Sequence, residues 1–129
     1  MANLNVTNRN IAGLVIANPI YEDGVATAAA TGTWPEGAVL GKITASGKFA
    51  RYSAGASDGS QVPVAILAKE LVITATGDQL IRPLISGRVR RGRLVDAAGA
   101  AITQAAVDQL RDFMIIAQPV KQLAIQDNQ

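Results

Sequence analysis

A chain of 129 residues, 49% of them hydrophobic, is long enough for one self-standing core that buries roughly two-thirds of its unfolded surface. It contains no cysteine and no histidine, which excludes a disulfide framework, a thiolate metal site and the usual neutral-pH general base. Twelve Lys and Arg against ten Asp and Glu leave a net charge of +2, too weak a field for a dedicated nucleic-acid binder, so no nucleic acid, metal or cofactor is expected.

The N-terminal run Asn3-Leu4-Asn5-Val6-Thr7 sets Leu4 and Val6 against polar neighbours, and Ile11-Ala12-Gly13-Leu14-Val15-Ile16 follows as a short apolar stretch. No uninterrupted apolar core of a signal peptide is present, so Sec export is not expected. The longest apolar runs, 11–17 and 113–117, fall short of the roughly 18 residues that cross a bilayer, so no membrane partner is expected. Residues 1–33 predict a strand-capable arm and, over Thr27 to Thr33, an Ala-Thr-Gly linker with little to bury. Such an arm is either a disordered tail or a segment that orders by adding a strand to a partner's sheet edge.

From Trp34 the texture changes to short β-type runs punctuated by glycine. Ala38 to Thr44 predicts a strand, Ala45-Ser46-Gly47 a turn, and Lys48 to Tyr52 the alternating partner strand of a hairpin. Ser53 to Ser60 is a Ser/Gly/Ala/Asp loop. Val62 to Leu67 is again strand-like, with Pro63 confining its first part to a sheet edge or to the start of the strand. Further strands are expected over Val72 to Thr76 and over Gln79 to Gly87, broken at Pro83, with Arg88 to Val95 continuing the second.

One helix opens near Thr103, a plausible N-cap, with Ile102, Ala106, Leu110 and Met114 at helical spacing. A buried β-type run, Phe113 to Ala117, ends at Pro119, and the last residues are polar. The division expected is an arm and linker over 1–33, a β-rich domain over 34–118 and a tail over 119–129, giving a mainly β (α+β) fold.

Catalytic chemistry has little to work with. The carboxylates are scattered singly apart from Glu22-Asp23, and the glycines follow neither the phosphate-loop nor the dinucleotide pattern. An enzyme would have to run on acids such as Asp58 or Asp78 alone. The densest charge is Gly87-Arg88-Val89-Arg90-Arg91-Gly92-Arg93. In a strand, Arg88 and Arg90 share one face and Arg91 and Arg93 the other, unless a bulge intervenes. Those four arginines either guard a solvated edge strand or form ion pairs with a sister subunit or a capsid surface. Of the aromatics, Phe49 and Phe113 are expected in the core, while Trp34, at the junction of linker and domain, is an anchor for an interface or for simple packing.

The block from Pro35 to Leu67, "PEGAVLGKITASGKFARYSAGASDGSQVPVAIL", followed by "IRPLISGRVRRGRLV" and a terminal helix, resembles the lambda D-like head decoration proteins of tailed phages. The resemblance runs from about Pro35 to Ala117. It implies a compact β-barrel or β-tulip-like domain with one short C-terminal helix and an extended N-terminal arm. It also implies a homotrimer on the outer surface of the expanded head, made in the host cytoplasm and bound to the major capsid protein through that arm, so that the shell is stabilised. Carried onto this chain, capsid-binding residues would be Leu4, Val6, Leu14, Ile16 and Trp34, and a subunit interface would include Arg88, Arg90, Arg91 and Arg93. The long segment before Trp34 and the polar tail depart from the family pattern. The rival reading is a β-rich receptor- or carbohydrate-binding module, whose expected sign, a surface rich in aromatics, has only five such residues to draw on.

Overall fold

A computed structural model describes residues 14–119. Five strands precede the Ser/Gly loop: β1 (Val15–Tyr21), β2 (Gly24–Ala28), β3 (Gly32–Trp34), β4 (Val39–Lys42) and β5 (Phe49–Arg51). After it come β6 (Pro63–Ile66), β7 (Leu71–Ile73), β8 (Gly77–Ile81) and β9 (Leu84–Arg90), a 3-10 turn at Arg91–Arg93, the helix α1 (Gln104–Arg111) and β10 (Ile115–Gln118). The strand-rich, one-helix composition is the one the sequence predicts.

The frame is a bent ribbon. β1 and β2 run antiparallel to β9 and β8, from Val15 opposite Val89 through Tyr21 opposite Leu84 and Gly24 opposite Ile81 to Ala28 opposite Gly77. At the bend the Glu22 amide donates to the Pro83 carbonyl at 3.1 Å, so the proline interrupts the strand without opening the ribbon. β4 pairs with β5 on one side and β6 on the other; β5 meets β2 at Ala26–Phe49, and β6 meets β9 at Ile66–Leu84. The sheet, in the order β1-β9-β6-β4-β5-β2-β8, therefore curls into a half-barrel whose two ends are joined by the chain itself. β3 and β7 form a separate two-stranded sheet, and β10 lies parallel to β9.

Two clusters fill the interior. One gathers Leu14, Val39, Ile66, Leu84, Val89 and Leu94 against Val107, Leu110 and Ile115; the other gathers Ala26, Leu40, Phe49, Ala65, Leu67 and Ile81. The helix starts where its cap dictates, with Thr103 Oγ1 accepting from the Ala106 amide at 3.2 Å, and it buries Ala106, Val107 and Leu110.

Several expectations change. Residues 27–33 are not a weakly anchored linker: Ala26 and Ala28 are buried, β2 is held by β8 and β5, and β3 by β7. Small residues at these positions permit close strand packing, which a search for large apolar side chains overlooks. Of the two positions open to Pro63, the start of the strand holds: it opens β6, inside the sheet. Phe113 is 42% exposed, not core. Met114 leaves the helical stripe because the helix ends at Arg111, the Phe113 and Met114 amides close on Leu110 and Arg111, and Met114 itself takes φ 69 and turns outward.

Candidate functional site

Of the residues singled out from the sequence, Arg88 and Arg90 lie on β9, beside Ile16 on β1. Gly87 sits at φ 135, and a Cβ there would come within 2.9 Å of the Asn18 carbonyl and 3.0 Å of Pro19 Cα, so only glycine lets β1 lie this close to β9. On the other side β10 runs alongside, Ile115 opposite Gly87 and Gln118 opposite Arg90. The Arg90 amide also donates to the Leu14 carbonyl at 2.8 Å. Both ends of the described chain thus meet at Arg90.

The arginines do not fall on two strand faces, because the strand gives way to the 3-10 turn after Arg90. Arg88 is exposed on β9 and Arg90 is half-buried. Arg91 donates to Gln104 Oε1 at 2.6 Å, and Arg93 pairs with Glu36 at 3.3 Å, so these two cross-link their own chain. Exposed Arg111 lies on α1, the helix to which Arg91 is tied through Gln104.

Two exposed apolar residues lie next to Ser86 on β9. Ile20 is opposite Ser86, and Ser86 Oγ donates to the Met114 carbonyl at 3.3 Å, so Ile20, 54% exposed, and Met114, 71% exposed, flank Ser86.

Of the residues proposed from sequence to touch a partner, Leu4 and Val6 lie outside the described residues. Leu14 is buried in the larger core cluster and roots the segment that precedes it, and Ile16 is half-buried on β1. Trp34 ends β3, with the Arg51 guanidinium 5.9 Å from its ring. Arg51 also donates to the Asp96 carbonyl, and burial pushes its guanidinium below its usual pKa, opposed by the Asp96 charge. A groove of about 360 Å³ opens beside this pair, lined by Thr31, Thr33, Trp34, Arg51 and Ala97.

The acids a carboxylate enzyme would need are engaged elsewhere: Asp58 binds its own loop through Ser60, and Asp78 pairs with Lys48 at 2.8 Å. No helix among the described residues is long and apolar enough to cross a membrane. Sequence reasoning missed Ile20, Met114 and Leu80 as surface residues. The available signal was weak: in Leu80-Ile81 and Ile115-Ile116 adjacent apolar residues take opposite faces, and alternation alone does not say which faces out.

A family model described as bacteriophage lambda head decoration protein D matches residues 8–115, most of the chain. No curated protein matches it.

Proposed function

We propose that this chain, which belongs to the bacteriophage lambda head decoration protein D family and so has a structural role in the phage capsid, binds the outer surface of the expanded head as a homotrimer. Attachment runs through the N-terminal segment, residues 1–13, where Leu4 and Val6 alternate with polar residues and can add a strand to an exposed edge of the major capsid protein. Many weak contacts of this kind, repeated over the shell and linked within each trimer, give avidity without a single tight site and brace the shell.

The observation that carries this reading is that Leu14 and Gln118, near the two ends of the described residues, meet at Arg90, next to exposed Arg88, Ile20 and Met114. A basic, partly apolar surface beside the first and last described residues suits an acidic partner presenting a sheet edge. That makes a capsid-facing role for Arg88 a better fit than a role between sister subunits, since Arg91 and Arg93 are already tied within their own chain.

The test is co-sedimentation of the purified protein with expanded and unexpanded heads. Removal of residues 1–13 is the informative truncation, because a cut at residue 20 would also remove Leu14 and most of β1. Saturable binding to expanded heads that the truncated protein loses supports the reading. Equal binding by both forms refutes the arm, and no binding by the full chain refutes attachment.

A further inference from the structure

The most exposed large apolar side chain among the described residues is Leu80, at 86%, on β8. β8 is an end strand of the curled sheet: its hydrogen-bonded neighbour is β2, in five unbroken pairs from Gly24–Ile81 to Ala28–Gly77, and its other side carries no strand among the described residues. Regular edge strands with a protruding apolar residue are sites where another chain docks, unless charge or a bulge guards them. Neither guard is present at Leu80. The one charged residue within β8, Asp78, is drawn to Lys48.

Leu80 stands between two shallow grooves. One, of about 170 Å³, is lined by Leu67, Lys69, Glu70, Leu71 and Arg82 along with Leu80 and Ile81; the other, of about 500 Å³, by Asp23, Gly24 and Arg82. The rim therefore carries two acids and two bases around an apolar centre. Arg82 and Asp23 pair at 3.2 Å while remaining largely exposed, and Lys69 and Glu70, adjacent in sequence, form no ion pair among the described residues.

We infer that this β8 face, centred on Leu80, is where one copy of this chain meets another. Charge decides the occupant. A strongly acidic or basic partner would leave half of the rim unpaired and desolvated, whereas a second copy brings equal numbers of both signs. With Lys69 and Glu70 side by side, the lysine of one copy can face the glutamate of the next, an arrangement that repeats head to tail around a closed ring. The Arg88 end of β9, by contrast, gathers arginines in excess and suits a different partner. The inference rests on the homotrimer reading above and assigns to it the surface that reading lacks.

The experiment is sedimentation equilibrium of the intact protein, Leu80→Asp and Leu80→Met, with circular dichroism to confirm that each is folded. Leu80 is exposed, so neither substitution removes core packing. The expected result is a trimer for the parent and for Leu80→Met, and association weakened by about tenfold or more for Leu80→Asp, as for a central apolar anchor. A parent that is a trimer together with an equally trimeric Leu80→Asp overturns this surface and leaves the homotrimer standing. A parent that stays monomeric at every concentration overturns this surface as a contact made in solution, and the homotrimer on the head is then judged by the co-sedimentation experiment.

Discussion

Asp58 Oδ1 accepts two hydrogen bonds from Ser60, one from its amide at 3.0 Å and one from its hydroxyl at 2.6 Å, and this pair organises the long Ser/Gly loop. Ser60 is 4% exposed, the one buried polar side chain of the described core. These bonds, the hydroxyl first and the amide second, hold the Asp58 carboxyl below its usual 3.8. Because the folded-state pKa is depressed, the stabilisation is complete above the unfolded-state value and is lost as pH falls through the folded one. Ser60→Ala should move the Asp58 titration back toward the ordinary value in carboxyl-detected NMR. Asp58→Asn should flatten the acid limb of the stability curve below about pH 4; an unchanged limb would mean that Asp58 does not contribute to it.

Gly59, between these two residues, has φ 113, and a Cβ there would lie 2.4 Å from the Lys42 carbonyl oxygen and 2.7 Å from the Thr44 amide nitrogen. Gly59→Ala is expected to destabilise by about 2 kcal/mol or more in urea unfolding, through backbone strain and a clash that no rotamer relieves. Gly55, four residues earlier in the same loop, faces open space. Gly55→Ala should therefore stay within about 0.5 kcal/mol of the parent, and a matching loss at both positions would rule out the steric account.

At the helix, Thr103→Ala removes the acceptor for the Ala106 amide and should cost about 1 kcal/mol. Leu110→Ala, inside the larger cluster with no exposed surface, should cost about 2–5 kcal/mol. Lys48→Ala breaks an ion pair with Asp78 whose partners are 38% and 53% exposed, so its cost should be under about 1 kcal/mol and should shrink further in salt. Thermal unfolding of the three variants checks the order, and the ranking is the sharper test.

For attachment, Arg88→Glu reverses an exposed charge on β9, two residues from where Leu14 meets Arg90. Apparent affinity for expanded heads should fall by about tenfold, and binding of the parent should weaken as NaCl rises through the range where the screening length falls below about 10 Å. The variant should keep the parent's oligomeric state. Binding that is insensitive both to salt and to Arg88→Glu would show that the body of the protein does not face an acidic partner.

Much of the fold was legible because its signals are local. The hairpin of β4 and β5 could be read from Ala45-Ser46-Gly47, where Gly47 indeed takes φ 74; the helix start from Thr103; and the interruption between β8 and β9 from Pro83. Each depends on a residue's own conformational limits or on neighbours within four positions. Where the reading failed over residues 27–33, the deciding contacts come from strands far away in sequence, and small alanines and glycines gave no apolar pattern to follow; at Phe113 and Met114 the helical spacing ran on past the local turn that closes the helix on Leu110 and Arg111.

The amino-acid order by itself determined the strand-rich class, the turns, the cap and the family resemblance, since propensity, periodicity and glycine or proline chemistry act over a few residues. Only the tertiary structure decided that Leu14 and Gln118 meet at Arg90, that Arg91 and Arg93 are tied within their own chain, and that Leu80 faces out while Ile81 faces in. These depend on register, Val15 against Val89 and Val25 against Leu80, and a shift of one residue would turn every side chain of a strand to the opposite face.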